Sequence, residues 1–256
     1  MNDFILAEQT HHFIRQHKWD AAVLPFGATE PHNLHMPYGT DTFQVDEIAR
    51  RACAHAYTRG AKVLLLPTIP FGVNTNQLQI PAAVTLSVTP TTLLKILADL
   101  VDSLERQGVR KLLLLNGHGG NELKPLMREL HHRSNVFLFL CDWYKIGADQ
   151  YPKMFEKPSE HADEVETSLA LAFFPQFVKM SQAGKGEVKP CRFDAVQKKW
   201  ISLTRPWHLI TTDTGIGDPT PATPEKGHAL MALLTTRIGD FLHDLATTPI
   251  DETFPF

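Results

Sequence analysis

A chain of 256 residues, 43% hydrophobic and 21% charged, can bury a substantial core and is too apolar to stay disordered. Its formal net charge of −3, with no run of Lys or Arg, excludes a general attraction to nucleic acid or an anionic membrane and points to a small neutral or polar ligand. No apolar run approaches the roughly 18 to 20 residues that span a bilayer, no basic-then-apolar leader opens the chain, and Cys53, Cys141 and Cys191 form no C-x-x-C pair, so a reducing, cytoplasmic setting is expected.

The first apolar run, residues 21–26, reads as a strand buried on both faces and opens into the polar stretch from Glu30 to Asp41. A helical pattern over 40–59 leads to a second run, 62–71. The next helix, 89–107, carries its own punctuation: Thr89 as N-cap, Pro90 at the first helical position and Gly108 just past the end. Runs three and four, 110–116 and 135–143, open into "NGHGGN" (116–121) and "DWYK" (142–145). Strand alternating with helix implies an α/β fold, a three-layer αβα arrangement with a mostly parallel central sheet, in one domain over 1–256. In such sheets ligands gather at the carboxyl ends of the strands, where these polar clusters fall. Residues 159–175 start a further helix, 176–222 form a long unpatterned excursion that would serve as a lid or a subunit contact, and Thr223 with Pro224 starts a last helix.

Glu30 and His32 stand two apart, so in extended chain both project to one side, and Asp41 can fold back on them across the turn with Pro37 and Gly39. The segment reads equally as half of a metal site or as a polar loop ending in an N-capping Asp41. His118 sits between glycines at a strand-to-helix junction, where chain and ligand can approach closely. The alternative is a Gly-rich anion-binding turn, although the Lys and Ser/Thr of a P-loop are missing. Glu166 falls on the apolar stripe of its helix with Ala162, Leu169, Ala170 and Phe173, so it needs a strong partner, either a metal ion or a core arginine. Glu164, on the other side, reads as a favourable first-turn charge, and His161 as a site residue or a cap.

With "PFGATEPHNLHMPYGTD", "LNGHGGN", "HADEVETS" and "GDPTPATPEKG" in this order, the chain resembles the creatininase family, the creatinine amidohydrolases, over roughly residues 20 to 245. The resemblance implies a creatininase-like αβα fold with a binuclear metal site that hydrolyses C–N bonds of cyclic or formylated amides. Carried over by position, Glu30, Asp41 and His118 would hold one divalent ion (Zn, Mn or Fe), and His32 with the shared Asp41 the second. The family's usual last ligand, a Glu two residues after the strand-three histidine, is Gly120 here; relatives of the "GHGGN" form take this carboxylate from the later helix, which is Glu166.

By the same resemblance, hydroxide generated between the metals would attack the carbonyl, and His161 would be catalytic, stabilising the oxyanion or passing a proton to the departing nitrogen. Gly119 and Gly120 would offer backbone N–H groups to substrate, Asn116 and Asn121 would shape the loop, and Trp143 is either a wall for a flat ring or a core tryptophan. His35 would orient a ligand or merely brace its turn. Pro31 and Asn33 replace the family's Gln and Gly, with Asn33 able to take a left-handed backbone, and Asp163 adds a carboxylate near the entrance. Creatinine specificity does not follow from these residues. Hydrolysis of a lactone or another strained ring on the same metals, or small-molecule binding without turnover, are the alternatives. The family also implies a homo-oligomer, often a hexamer.

Overall fold

A computed structural model describes residues 3–256. Four strands form one sheet: β1 (Ala21–Phe26), β2 (Val63–Leu65), β3 (Lys111–Asn116) and β4 (Phe137–Asp142), in the spatial order β2-β1-β3-β4. Every pairing is parallel, with Val23 beside Leu65 on one side and Leu113 on the other. The helices that position the site are α1 (Thr40–Thr58), α2 (Pro90–Arg106), α3 (Leu123–Leu130), α4 (Glu164–Phe173), the one-turn α5 (Trp207–Ile210) and α6 (Pro224–Thr247). Among the described residues no helix is long and apolar enough to cross a membrane.

Successive strand side chains point to opposite faces, which divides the apolar interior in two. Val23, Val63, Leu65, Leu113 and Leu115 pack with α1, α4 and α6. Ala22, Leu24, Phe26, Leu112 and Leu114 pack with α2 and α3 on the other face. This is the three-layer arrangement expected from the alternation of strand and helix.

Local chemistry sets the helix starts. The Thr89 hydroxyl accepts from Thr92 N at 3.3 Å and the Thr223 hydroxyl from Lys226 N at 3.3 Å, each with a proline at the first helical position. Helix α1 starts differently: Gly39 is its N-cap without a side-chain bond, and Asp41 lies inside the first turn with its carboxylate turned inward, so the capping alternative for Asp41 is wrong.

Two strands depart from expectation. β2 keeps only three residues of the run 62–71, because Pro67 and Pro70 cannot donate to a ladder; past its end Leu66 N donates to Val23 O at 2.9 Å and, between the prolines, Ile69 N donates to Pro25 O at 2.9 Å. β4 is an edge strand and half-buried rather than buried on both faces, its outer flank covered by Phe254 and Phe241 against Phe137 and Phe139.

Glu164 also departs from expectation. It is fully buried where α6 crosses α4: Oε1 accepts from Lys226 Nζ at 2.5 Å and Oε2 from Lys157 N at 2.6 Å. Burial alone would raise its pKa, but these two donors hold it below the usual carboxylate range. Lys226→Met, which leaves this buried carboxylate without its cation, is expected to lower unfolding free energy by about 2–3 kcal/mol in urea melts; a wild-type midpoint would mean that Lys157 N alone suffices.

Candidate metal centre

The strand ends bring the predicted residues together. After β1 the chain runs extended through Glu30, then bends so that His32 and Met36 form an antiparallel bridge. The bend needs the left-handed backbone at Asn33, φ 55°, which the asparagine adopts. Its side chain also ties this loop to the distant excursion: Oδ1 accepts from Gly184 N at 2.8 Å and Nδ2 donates to Gly184 O at 3.1 Å. Helix α1 docks its first turn against the end of β1, where a Cβ on Gly27 would lie 2.5 Å from the Thr42 hydroxyl; glycine is therefore required there.

Beyond β3, Asn116 and Asn121 hold the glycine loop as expected. Asn116 Oδ1 accepts from His118 N at 3.2 Å and its Nδ2 donates to His118 O at 2.9 Å, while Asn121 Oδ1 accepts from Val73 N at 3.0 Å. At the start of α4, Asp163 is buried as the N-cap, accepting from Val165 N at 3.0 Å and Glu166 N at 3.1 Å. It is thus not a free carboxylate at the entrance, though it borders the cavity.

Three histidines share one design. His118 Nε2 lies 3.2 Å from Val73 O, His32 Nδ1 3.1 Å from Glu30 O, and His161 Nε2 3.1 Å from Pro31 O. A carbonyl only accepts, so in each ring that nitrogen carries a hydrogen and the other nitrogen turns inward. His118 Nδ1 then faces Glu30 Oε1 at 2.7 Å and Asp41 Oδ2 at 3.1 Å, while His32 Nε2 faces Asp41 Oδ1 at 2.9 Å. Despite these short separations, Glu30 Oε1 and Asp41 Oδ2 are buried without a hydrogen-bond partner among the described residues. Imidazole nitrogens and carboxylate oxygens converging in this way are what ligands of a common cation present.

Two groups of donor atoms fit a cation each: Glu30, Asp41 and His118 in one, and His32, Asp41 and Glu166 in the other, with Asp41 shared. A third, Glu30, His32 and His161, also gives His161 ligand geometry. Glu166 is half-buried, with Oε2 accepting from Ala162 N at 2.6 Å; among the described residues no arginine pairs with it.

The electrostatics match. Burial would lower His32, but Asp41 beside it outweighs that and raises it to about 10; His118 is raised likewise against burial by Glu30 and Asp41. Burial pushes Glu166 up to about 8, with Asp41 and Asp163 adding to the rise against His32. This buried negative potential draws protons onto the imidazoles and would draw divalent cations for the same reason.

Glu30, Asp41, His118, His161 and Glu166 border a cavity of about 860 Å³. Trp143 is a fully buried core side chain, and it also borders the cavity. His35 stays outside the centre, its Nε2 2.9 Å from the Thr167 hydroxyl, where it braces α4. Gly119 and Gly120 lie on the cavity wall. A Cβ on Gly120 would stand 2.3 Å from Val73 O and 2.4 Å from His118 Nε2, so no side-chain ligand fits there.

Sequence reasoning missed two neighbours. Trp207, from α5 in the excursion, sets its ring edgewise on His161 with centroids 4.9 Å apart, and the same excursion pairs Ile216 with His161 through backbone bonds of 2.8 and 3.1 Å. Gln77 donates to Glu30. Neither has a periodicity or motif to mark it; "RPWHL", an aromatic in an unpatterned polar stretch, was the only signal.

Residues 7–242 match the family described as Creatininase, creatinine amidohydrolase. The 3-dehydro-scyllo-inosose hydrolase of Thermotoga maritima is 29% identical over 180 residues, 66% of this chain and 55% of that protein, so the match spans about half of that relative's length. The mycofactocin precursor peptide peptidase of Mycobacterium ulcerans is 27% identical over 221 residues, 84% of this chain and 81% of that one. A crystal structure from Bacteroides fragilis, of a protein described as a candidate creatinine amidohydrolase, superposes with a TM-score of 0.91 at 33% identity, covering 98% of this chain and 100% of its own. Creatininases described as Zn-Zn type and as Mn share the fold, with TM-scores of 0.76 and 0.74 at 21% identity over 96% of this chain and 99% of theirs.

Gly120→Ala is expected to push the His118 ring off its position and weaken Zn²⁺ binding by at least about ten-fold, as loss of ligand orientation does in other metal sites. Titration against a competing chelator reads this; wild-type affinity would show that the loop around Val73 yields instead.

Proposed function

Because this chain belongs to the creatininase family, we propose that it is a metal-dependent amidohydrolase cutting a C–N bond of a small, cyclic or otherwise compact amide. The observation that carries this reading is the convergence of buried carboxylate and imidazole donor atoms from Glu30, Asp41, His32 and His118 beside the cavity. Glu30, Asp41 and His118 would hold one divalent ion and His32, Glu166 and the shared Asp41 the second, and this imidazole–carboxylate set suits zinc, manganese or iron. Bound there, such ions would supply a Lewis acid for the carbonyl and a water of lowered pKa.

The remaining steps belong to the chain. His161 directs Nε2–H to Pro31 O, which leaves Nδ1 to face the cavity as an acceptor. Burial, with His32 nearby, holds the ring below the ordinary imidazole range and so keeps it neutral. This favours His161 as the group that takes a proton from the attacking water and returns it to the departing nitrogen, over its use as an oxyanion donor. The oxyanion would fall to the backbone N–H groups of Gly119 and Gly120, which have no partner among the described residues. Trp143 and Trp207 would wall the substrate.

The cavity of about 860 Å³ is much larger than one five-membered ring, and relatives include an inosose hydrolase and a peptide peptidase. Together they favour a second reading on the same centre, in which the substrate is bulkier: a lactone, a substituted ring or a short peptide. Exposed Val84, Leu86 and Trp200 support assembly into a homo-oligomer.

Glu30→Gln and His118→Ala are expected to lose metal and hydrolysis together while keeping a native circular dichroism spectrum; plasma mass spectrometry finding full metal with full turnover in either variant would sink the proposal. His161→Ala is expected to keep its metal and lose about 10²–10⁴ in kcat. Loss of metal instead would make His161 a ligand. Parallel assays on cyclic amides, lactones and short peptides decide between the two substrate readings.

A further inference from the structure

Resting on the metal-centre reading above, we infer that Gln77 is a positioning residue: its side-chain amide selects which oxygen of Glu30 is offered to the cation. Gln77 is 2% exposed and borders the cavity, yet it lies in no helix or strand. Its backbone is held from several directions. Gln77 N donates to Asn74 O at 2.9 Å, and Ile80 N to Gln77 O at 3.0 Å. Asn74 is itself fully buried and anchored, N to Ser87 Oγ at 2.8 Å and Nδ2 to Leu86 O at 3.2 Å. From the excursion, Trp207 N donates to Asn76 O at 3.3 Å. A side chain on so tethered a turn has a fixed reach.

That reach ends at Glu30, where Gln77 Nε2 donates a short hydrogen bond to Oε2. An ionised carboxylate oxygen only accepts, so the amide orientation is forced: nitrogen toward Glu30, oxygen away. The two oxygens of Glu30 thereby become unequal. Oε2 is engaged, while Oε1 has no hydrogen bond and lies 2.7 Å from His118 Nδ1 and 4.0 Å from His161 Nδ1. A donor on one oxygen fixes the carboxylate plane and presents the other oxygen singly, the arrangement by which groups around a metal site orient its ligands.

Among the described residues the amide makes a bond at one end alone: Nε2 reaches Glu30, and Gln77 Oε1 is buried without a partner. What the position demands is the N–H toward Glu30, not the shape of the side chain.

The test is Zn²⁺ affinity of the full chain, by competition with a chromophoric chelator, together with the visible spectrum of the Co²⁺-loaded protein. Gln77→Met keeps the length without the donor and is expected to bind Zn²⁺ about 10–100-fold more weakly, with an altered Co²⁺ spectrum. Gln77→Asn, an amide one methylene too short to reach, is expected to do the same and serves where the first variant does not fold. Leu78→Ala, in the same turn but exposed and off the cavity wall, should leave both readouts unchanged. Unchanged affinity in the Gln77 variants overturns the inference alone, as does equal weakening in Leu78→Ala, which would make loop integrity the cause. A wild-type chain that binds no Zn²⁺ overturns the metal-centre reading itself.

Discussion

Like-signed lone pairs held together in a dry place govern this structure. Glu30 and Asp41 are buried beside His32 and His118, and each imidazole has already given its hydrogen to a backbone carbonyl. Bringing such groups out of water is costly unless something positive lies between them. Two protons answer the need in part, as the raised His32 and His118 show. Two divalent ions would answer it more fully, and most of the surrounding architecture can be understood as holding the ligands apart and aimed.

That architecture comes from the sheet outward. Parallel strands end at a common level, so the loops after β1 and β3 reach the same point although they are far apart in sequence. Helix α1 adds Asp41 from its first turn, and α4 adds Glu166 from the opposite side. The excursion 176–222 then closes over the set through the Asn33–Gly184 bonds, the Ile216–His161 bridge and the ring of Trp207. Within this chain the excursion braces His161 and the loop carrying His32.

Legibility from sequence followed the range of the interactions. Buried strands, proline-started helices and the spacing of Glu30, His32 and Asp41 are local and could be read directly. Shortening of β2 was also local, and Pro67 and Pro70 could have shown it. Other features depend on partners far along the chain. The burial of Glu164 needs Lys226, 62 positions later, and the role of Gln77 needs Glu30, 47 positions earlier. A first-turn glutamate on an amphipathic helix and a glutamine in a loop have ordinary solvated readings until the fold supplies the neighbour. The edge position of β4 was hidden for a related reason: strand order is a property of the sheet, not of any one strand.

Gly120 has a consequence for how such a site could change over generations. With the His118 ring and the Val73 carbonyl occupying the space a Cβ would need, a carboxylate cannot be introduced at 120 by one substitution. The segment around Val73 must retreat first, and that segment is pinned by Asn121. If Glu166 is a ligand, supplying the carboxylate from α4 and supplying it from the glycine loop would therefore be two separate solutions, divided by intermediates that are crowded or short of a ligand. A lineage that has adopted one of them is held to it by packing, whatever substrate it later comes to serve.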